Sequence, residues 1–163
     1  MLKIILGIDP GIADTGYGII KEENGKLSCL SYGSIKTKPS DNLITRLEIL
    51  HYELDKIIKK YHPKLAAIEQ LFFNKNVRTA LIVGQARGVA LLTLQQNKLK
   101  VLEFTPAQVK QGVTSYGQAS KKQVQKMVKL ILNLSEIPQP DDAADALAIA
   151  LCALNSRILC LKD

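Results

Sequence analysis

Residues 143–154, near the end of the chain, are apolar at every position except Asp145. A helix that is apolar around its whole circumference has to be buried on all sides, so the rest of the chain must be able to enclose one. An ionised carboxylate in such surroundings is costly unless a cation or a strong hydrogen-bond network meets it. The pattern therefore predicts a central helix in which Asp145 has a specific partner.

A second carboxylate accompanies Asp145 on this helix. Asp142 lies three residues earlier, a spacing that puts both side chains on one face with their Cβ atoms roughly 5–6 Å apart. Asp141 and Asp142 also suit a structural role, because the helix dipole favours negative charge in the first turn. That alternative accounts for Asp141 but not for Asp145, so we interpret Asp142 and Asp145 as a functional pair.

The rest of the chain is typical of three strands followed by alternating helices and strands. Asn24-Gly25 is a strong signal for a two-residue hairpin turn between the second and third strands. The predicted strands cover residues 3–9, 15–21, 27–36, 65–69 and 100–104. The predicted helices cover residues 42–61, 77–96 and 106–111, a segment that opens at Ser120 with a capping-box pattern, and a last segment from after Pro140 to about residue 154. Residues 112–119 are expected to form a mobile loop.

These elements indicate an α/β protein with a mixed five-stranded sheet flanked by helices. The first three strands should form an antiparallel meander, and the later strands follow helices. The length of 163 residues fits one domain covering residues 1–163. We find no internal repeat, low-complexity segment or interdomain linker.

The charge of the chain indicates the kind of partner. Lys and Arg outnumber Asp and Glu by 22 to 15, which gives a formal net charge of +7 and favours nucleic acid or an anionic membrane surface.

A run of about 18 apolar residues, which could span a bilayer, is missing, and the start of the chain has no cleavable signal. Cys29, Cys152 and Cys160 lack metal-ligand spacing. We expect reduced thiols in a cytoplasmic protein.

Two more carboxylates end apolar runs that are typical of buried strands, Asp9 and Glu69. In α/β sheets, binding and catalytic groups gather at the carboxyl ends of such strands, although Asp9 also suits a simple turn role before Pro10. Together with the helical pair they make four carboxylates without His or Cys, a set that suits Mg²⁺ or Mn²⁺. Two such ions about 4 Å apart can activate a water, hold a scissile phosphate and stabilise the leaving oxygen.

The chain closely resembles the RuvC Holliday-junction resolvases, a ribonuclease-H-like family. The motifs that carry the resemblance are GIDPG (7–11), TGYG (15–18), AIEQ (67–70), GQARGVA (84–90), QVKQ (108–111) and DAADALAIA (142–150). GIDPG alone is a weak signal, because related nucleotide-binding folds open in a similar way. The full set is specific, since the motifs follow the family order and cover essentially the whole chain.

The resemblance implies a structure-selective endonuclease that nicks two symmetry-related strands of a four-way DNA junction in homologous recombination and DNA repair. It implies that the catalytic metal ligands are Asp9, Glu69, Asp142 and Asp145, and that they hold Mg²⁺, with Mn²⁺ able to substitute and two ions per active site. It also implies a homodimer that works with a branch-migration motor of the RuvA and RuvB type.

Three further positions match residues of the family that contact DNA. Phe72 matches the aromatic side chain that inserts at the junction centre, with core packing as the alternative. The adjacent Phe73 leaves open which of the two rings stacks. Lys110 and Lys121 match lysines near the DNA, and a solvated surface position is the alternative for each.

The helix over residues 77–96 offers a place for a second subunit. Ala80, Gly84 and Gly88 recur at four-residue spacing and leave a smooth strip where another helix could approach closely. Burial of this strip against the sheet of its own subunit is the alternative.

Some residues and functions fit less well. Asp14 is a possible fifth ligand, but a turn role is the better interpretation, and His51 and His62 are expected at the surface.

An actin-like or sugar-kinase-like ATPase would need a second such domain, which this length excludes. A non-catalytic junction-binding protein would be expected to lack one of the four carboxylates. A related nuclease acting on RNA or on another DNA structure does not explain the matches at Phe72 and GQARGVA.

Overall fold

The computed structural model describes residues 2–71 and 77–160. The strands are β1 (Leu2–Asp9), β2 (Asp14–Glu23), β3 (Lys26–Lys36), β4 (Leu65–Glu69) and β5 (Lys100–Phe104). The helices are α1 (Leu43–Tyr61), α2 (Val77–Gln96), α3 (Pro106–Thr114), α4 (Lys121–Ile131) and α5 (Asp141–Cys160). Within this described part of the chain, no helix has both the length and the apolar character needed to cross a lipid bilayer.

The strands form one five-stranded sheet in the order β3-β2-β1-β4-β5. β1, β2 and β3 pair antiparallel, whereas β4 and β5 continue the sheet in parallel with β1. The hairpin between β2 and β3 turns at Asn24 and Gly25, which both have positive φ angles, as a type I′ turn requires. The predicted mixed sheet flanked by helices is confirmed.

Each face of the sheet carries its own apolar core. On one face, the core side chains of β1 and β4 pack with those of α1 and α2, for example Leu6 and Ile68 with Leu54 and Leu94. On the other face, α3, α4 and α5 cover the sheet. Helix α5 lies at the centre of this layer, in contact with all five strands and with α3 and α4. Residues 143–154 are buried throughout except at Asp145, as the apolar pattern predicts.

The predicted mobile loop at residues 112–119 is wrong in its first part, because α3 continues to Thr114. Val113 is buried and anchors this last turn. A Cβ atom at Gly112 would lie 2.9 Å from Sγ of Cys152 on α5, so glycine is required here by a close helix contact. The helix then ends at Ser115, which caps it in the left-handed conformation.

Two capping boxes fix where α3 and α4 begin. The hydroxyl of Thr105 accepts from the backbone N–H of Gln108, whose side chain accepts from the backbone N–H of Thr105. Ser120 and Gln123 form the same reciprocal pair at the start of α4, as predicted. These caps set the start of the two helices that carry Lys110 and Lys121.

Candidate active site

The carboxylates at the ends of β1 and β4 face the layer that contains α5. Side chains alternate across a strand, and Asp9 therefore shares a face with Gly7, two residues earlier on β1. Glu69 shares that face with Ala67, which belongs to the core beneath α5. The last paired positions of the two parallel strands are Ile8 and Ile68, so Asp9 and Glu69 follow them side by side.

Glycines bring α5 into contact with the backbone of the sheet. A Cβ atom at Gly7 would lie 2.0 Å from the carbonyl oxygen of Ala146, and one at Gly16 would lie 2.0 Å from that of Asp142. A distance that short excludes any side chain at either position. Because Gly16 is also the partner of Asp9 in the β1–β2 ladder, this contact places the start of α5 directly beside Asp9.

Three of the four predicted carboxylates form a compact group. One carboxylate oxygen from each of Asp9, Asp142 and Asp145 lies within 4.8 Å of the others, and all three side chains are partly buried. Glu69 is not a member of this group. It lies on the same side of the sheet and lines an adjoining cavity of about 270 Å³ together with Asp145.

The same cavity contains both lysines that were singled out from the sequence. Lys110 and Lys121 line it with Glu69 and Asp145. The rest of the wall is mainly apolar and consists of Pro106, Val109, Val124, Ala148 and Ile149. Both lysines thus lie beside the carboxylates, and Lys121 is at the same time half exposed to solvent, as the alternative of a solvated surface position expects.

Burial and the charges of neighbouring carboxylates raise the pKa of Asp9, Glu69 and Asp142. Desolvation, followed by the charges of Asp145, Glu69 and Asp142, raises the pKa of Asp9 to about 7. Burial and then the charge of Asp145 raise the pKa of Glu69, against the opposing effect of Lys110 and Lys121. Such a cluster is stabilised by positive charge.

Lys121 supplies part of that positive charge. Its Nζ atom lies 2.9 Å from Oδ2 of Asp145 and 3.3 Å from Oδ2 of Asp141. The partner expected for Asp145, which is partly buried, is thus an ammonium group from the first residue of α4. The sequence does not reveal this pair, because no local spacing relates α4 to α5.

The arrangement fits a divalent cation. Three carboxylate oxygens converge from β1 and α5, a fourth carboxylate adjoins them, and hard cations such as Mg²⁺ prefer oxygen ligands of this kind. Burial and the neighbouring carboxylates raise the pKa of Asp9, and a cation held by these oxygens would favour its ionised form. The residues present are therefore suited to hold a metal.

Other candidates from the sequence have different positions. Asp14 begins β2 and accepts a hydrogen bond from Oγ of Ser34 at 3.0 Å; its charge contributes to raising the pKa of Asp142, after desolvation. His51, which was predicted at the surface, is partly buried, and its Nδ1 atom lies 2.8 Å from Oγ1 of Thr93.

His62 is exposed, as expected, and caps α1 in the left-handed conformation. Phe72 and Phe73 lie outside the described residues, so their predicted stacking role stays a prediction.

The strip of small residues on α2 is open. Among the residues that the structure describes, a Cβ atom at Gly84 or Gly88 would meet nothing within 4 Å, whereas Ala86, Ala90 and Leu94 of α2 are buried in the core. Leu81 and Leu92 on the same helix are 63% and 57% exposed. Burial of these two glycines against the sheet of their own subunit is therefore wrong.

Arg87, inside the GQARGVA motif, is a residue of the site region that the sequence does not single out. Its Nε atom donates to the carbonyl oxygen of Glu69 at 3.1 Å, and its Nη2 atom pairs with Oε2 of Glu103 on β5. The available signal was an arginine between two small residues, Ala86 and Gly88, within the motif.

The comparisons with known proteins match most of the chain to one family. A family model described as crossover junction endodeoxyribonuclease RuvC matches residues 5–153. A protein of that name from Caldicellulosiruptor saccharolyticus is 56% identical over 162 residues, which are 98% of this chain and 98% of the relative. Its counterpart from Halothermothrix orenii is 55% identical over 153 residues, or 94% of this chain and 93% of the relative.

Two solved structures of Thermus thermophilus RuvC are similar to the fold. One superposes with a TM-score of 0.87 at 33% sequence identity and covers 98% of this chain and 96% of its own. The other, a complex with a Holliday junction substrate, has a TM-score of 0.87 at 32% identity and covers 96% of each chain.

Proposed function

The chain belongs to the RuvC family of crossover junction endodeoxyribonucleases, and from this we propose that Asp9, Glu69, Asp142 and Asp145 are the catalytic metal ligands with which it cuts four-way DNA junctions. The activity is hydrolysis of a phosphodiester bond: an oxygen of water becomes bonded to phosphorus, and the bond from phosphorus to one sugar oxygen breaks. The observation that carries the assignment is the group of three aspartate oxygens within 4.8 Å.

Each part of the site has a distinct task in this proposal. The aspartates of β1 and α5 would hold the cation, and Glu69, which lines the adjoining cavity, would complete the ligand set. When bound, the metal supplies Lewis-acid chemistry that polarises the phosphate and makes water a better nucleophile. Val109, Val124 and Ile149 form an apolar part of the cavity wall. We propose Mg²⁺ as the metal, with Mn²⁺ able to substitute and two ions per site.

Positive charge holds the DNA beside this acidic site. The chain has a net charge of +7, and phosphate contacts supply much of the affinity of DNA-binding proteins. Lys110 and Lys121 lie at the cavity wall, where their ammonium groups can reach phosphates next to the scissile one. Phe72 is proposed to stack on a base at the centre of the junction.

Two coordinated cuts require two sites. A C2 dimer presents two identical sites with the two-fold symmetry that a four-way junction can adopt. We propose that the dimer packs through the exposed face of α2, where Gly84 and Gly88 leave open space and Leu81 and Leu92 are exposed. We also propose a role in DNA repair as well as recombination. The protein would cooperate with a branch-migration motor of the RuvA and RuvB type and would be located in the cytoplasm.

A nicking assay tests the central proposal. A synthetic four-way junction and a linear duplex of the same sequence are incubated with the protein in Mg²⁺ and in EDTA, with Asp145→Asn as the inactive control. We expect two opposed strands of the junction to be cut in Mg²⁺ only, with the duplex left intact. Failure to cut the junction with either Mg²⁺ or Mn²⁺ would overturn the proposal.

A further inference from the structure

The side chain of Arg87 has contacts that neither the fold nor the proposed function explains. It is 18% exposed and extends from α2 to the end of the sheet, where its guanidinium contacts β4 and β5. One nitrogen donates to the backbone of Glu69 and another forms an ion pair with Glu103. A forked, planar donor is needed for two such acceptors, and arginine is the residue that provides one.

The hydrogen bond from Arg87 to Glu69 matters because of where the Glu69 carbonyl lies in the sheet. Glu69 is the last residue of β4, where it pairs with Phe104 of β5, and the next backbone N–H, that of Gln70, donates to the carbonyl of Phe104 at 2.8 Å. Beyond this point the chain leaves the sheet. A hydrogen bond to the final carbonyl therefore restrains the backbone of Glu69 where the ladder ends, and so restrains the direction of its side chain.

We propose that Arg87 is a positioning residue for Glu69: it holds this carboxylate at the metal site through the backbone carbonyl. This inference rests on the proposed role of Glu69 as a metal ligand. It also gives α2 a second task, since the helix that presents the open face around Gly84 and Gly88 also restrains a ligand of the site. Groups that hold a metal ligand commonly contribute 10- to 100-fold to metal affinity or activity.

The test compares Arg87→Met with Glu103→Gln. Methionine fills a similar volume but donates to neither acceptor, so we expect Mn²⁺ to bind about 10-fold more weakly in a calorimetric titration and kcat on saturating junction to fall about 10- to 100-fold. Junction affinity in EDTA should stay within about twofold of wild type, because no phosphate contact is lost. Glu103→Gln keeps an oxygen acceptor and leaves the bond to Glu69 intact, so its Mn²⁺ affinity and kcat should match wild type.

Three outcomes would overturn the inference. One is an Arg87→Met protein that binds Mn²⁺ and cuts like wild type. Another is an equal loss of Mn²⁺ affinity and kcat in Glu103→Gln, which would make the ion pair with β5 the functional contact. The third is a loss of Mn²⁺ affinity and kcat in Arg87→Met that disappears at a temperature where circular dichroism shows wild type and variant to be equally folded. If Arg87→Met does not fold, Arg87→Lys takes its place, since an ammonium lacks the rigid planar fork that aims one donor at each acceptor; wild-type Mn²⁺ affinity and kcat in that variant would also overturn the inference.

Failure of the proposed function is separable from failure of this inference. If the wild type cuts no junction, the Mn²⁺ titration still decides whether Arg87 supports the ligand Glu69. If the wild type cuts and only the Arg87 variants behave as wild type, the nuclease assignment stands and the positioning role does not.

Discussion

Nζ of Lys121 lies 2.9 Å from Oδ2 of Asp145 and joins α4 to the helix that carries half of the predicted metal ligands. The same ammonium also reaches Asp141, and its charge opposes the rise in the pKa of Asp9 and Glu69. The lysine thus offsets the repulsion within the carboxylate site. A divalent cation would do the same from a nearby position.

Removal of this ammonium should make the protein more dependent on metal for stability. In Lys121→Met the carboxylates lose a neighbouring positive charge, so the melting temperature in EDTA should fall by a few degrees; the pair is half exposed and contributes roughly 1 kcal/mol or less. The rise in melting temperature on adding Mg²⁺ should be larger than in wild type, because the ion binds the folded state only. Thermal unfolding with and without Mg²⁺ measures both. Lys122→Met, at the exposed neighbouring position, is the control, and an Mg²⁺ response equal to wild type in Lys121→Met would contradict the prediction.

Without metal, the stability of the protein should fall as pH rises towards neutrality. The pKa of Asp9 is raised from 3.8 to about 7, so between these values the folded protein holds a proton that the unfolded chain has lost. The free energy of unfolding must decline with pH across that window and level off above it. Asp9→Asn should make the decline shallower and be more stable than wild type at pH 8 in EDTA. Urea unfolding from pH 5 to pH 8 measures this.

The control for the pH experiment is Asp55→Asn. Hydrogen bonds from Lys59 and Asn97 lower the pKa of Asp55, so it titrates below the measured window and its loss should leave the pH slope unchanged. A wild-type slope in Asp9→Asn would show that Asp9 ionises freely in the folded protein.

Neutral substitutions of the four carboxylates should separate DNA binding from cleavage. Each of Asp9→Asn, Glu69→Gln, Asp142→Asn and Asp145→Asn should reduce cleavage by more than about 100-fold, because even groups that merely support a ligand cost 10- to 100-fold. Junction affinity in a gel shift with EDTA should persist or rise slightly, since negative charge near phosphate is removed. Asp14→Asn is the matched control, near Asp142 but outside the group within 4.8 Å. Cleavage at a wild-type rate by one of the four would remove that residue from the site.

The lysines and Phe72 should respond differently to salt. Lys110→Ala and Lys121→Ala should weaken junction binding and lower the salt slope by about one unit for each lost phosphate contact. Phe72→Ala should leave the slope unchanged and reduce cleavage, because stacking of a base on an aromatic ring contributes roughly 1–3 kcal/mol. Binding measured over a range of salt concentrations distinguishes the two. A wild-type slope in both lysine variants would refute the phosphate contacts, and full activity in Phe72→Ala would point to Phe73 or to no stacking residue.

A glutamate at Gly84 should break the proposed dimer without unfolding the subunit. A side chain at this position meets open space in the subunit, but it would add bulk and charge to the strip where the second α2 packs. Sedimentation should show a shift toward monomer, circular dichroism an unchanged fold, and the junction assay a loss of paired cuts. Gln95→Glu adds the same charge to an exposed position at the end of α2 and should remain dimeric. A dimeric and active Gly84→Glu protein would exclude this seam, and a wild-type monomer that makes paired cuts would exclude the need for a dimer.

The sequence predicts elements whose patterns are local. The all-apolar helix around Asp145 and the hairpin at Asn24-Gly25 are present as expected, because periodicity and turn chemistry act over a few residues. The extension of α3 through Gly112 was not predictable, since glycine normally weakens a helix and its reason here is contact with Cys152 of α5.

Contacts between distant segments account for the rest of what the sequence left open. The pairing of Lys121 with Asp145 and the hydrogen bond from Arg87 to Glu69 join elements with no fixed spacing along the chain. The four carboxylates could be read from strand ends and one helix face, whereas the two lysines were indicated only by the family resemblance. Which lysine meets which aspartate could not be read, because it depends on how α4 packs against α5.

The packing of α5 beneath the whole sheet has a consequence for how the protein is made. Asp9 leaves the ribosome well before Asp142 and Asp145, yet Gly7 and Gly16 must touch the backbone of α5 before these carboxylates meet. A nascent chain that already has all five strands therefore still lacks half of the predicted ligands. Translation that stops early, or proteolysis that removes the final helix, leaves a fragment in which this carboxylate group cannot assemble.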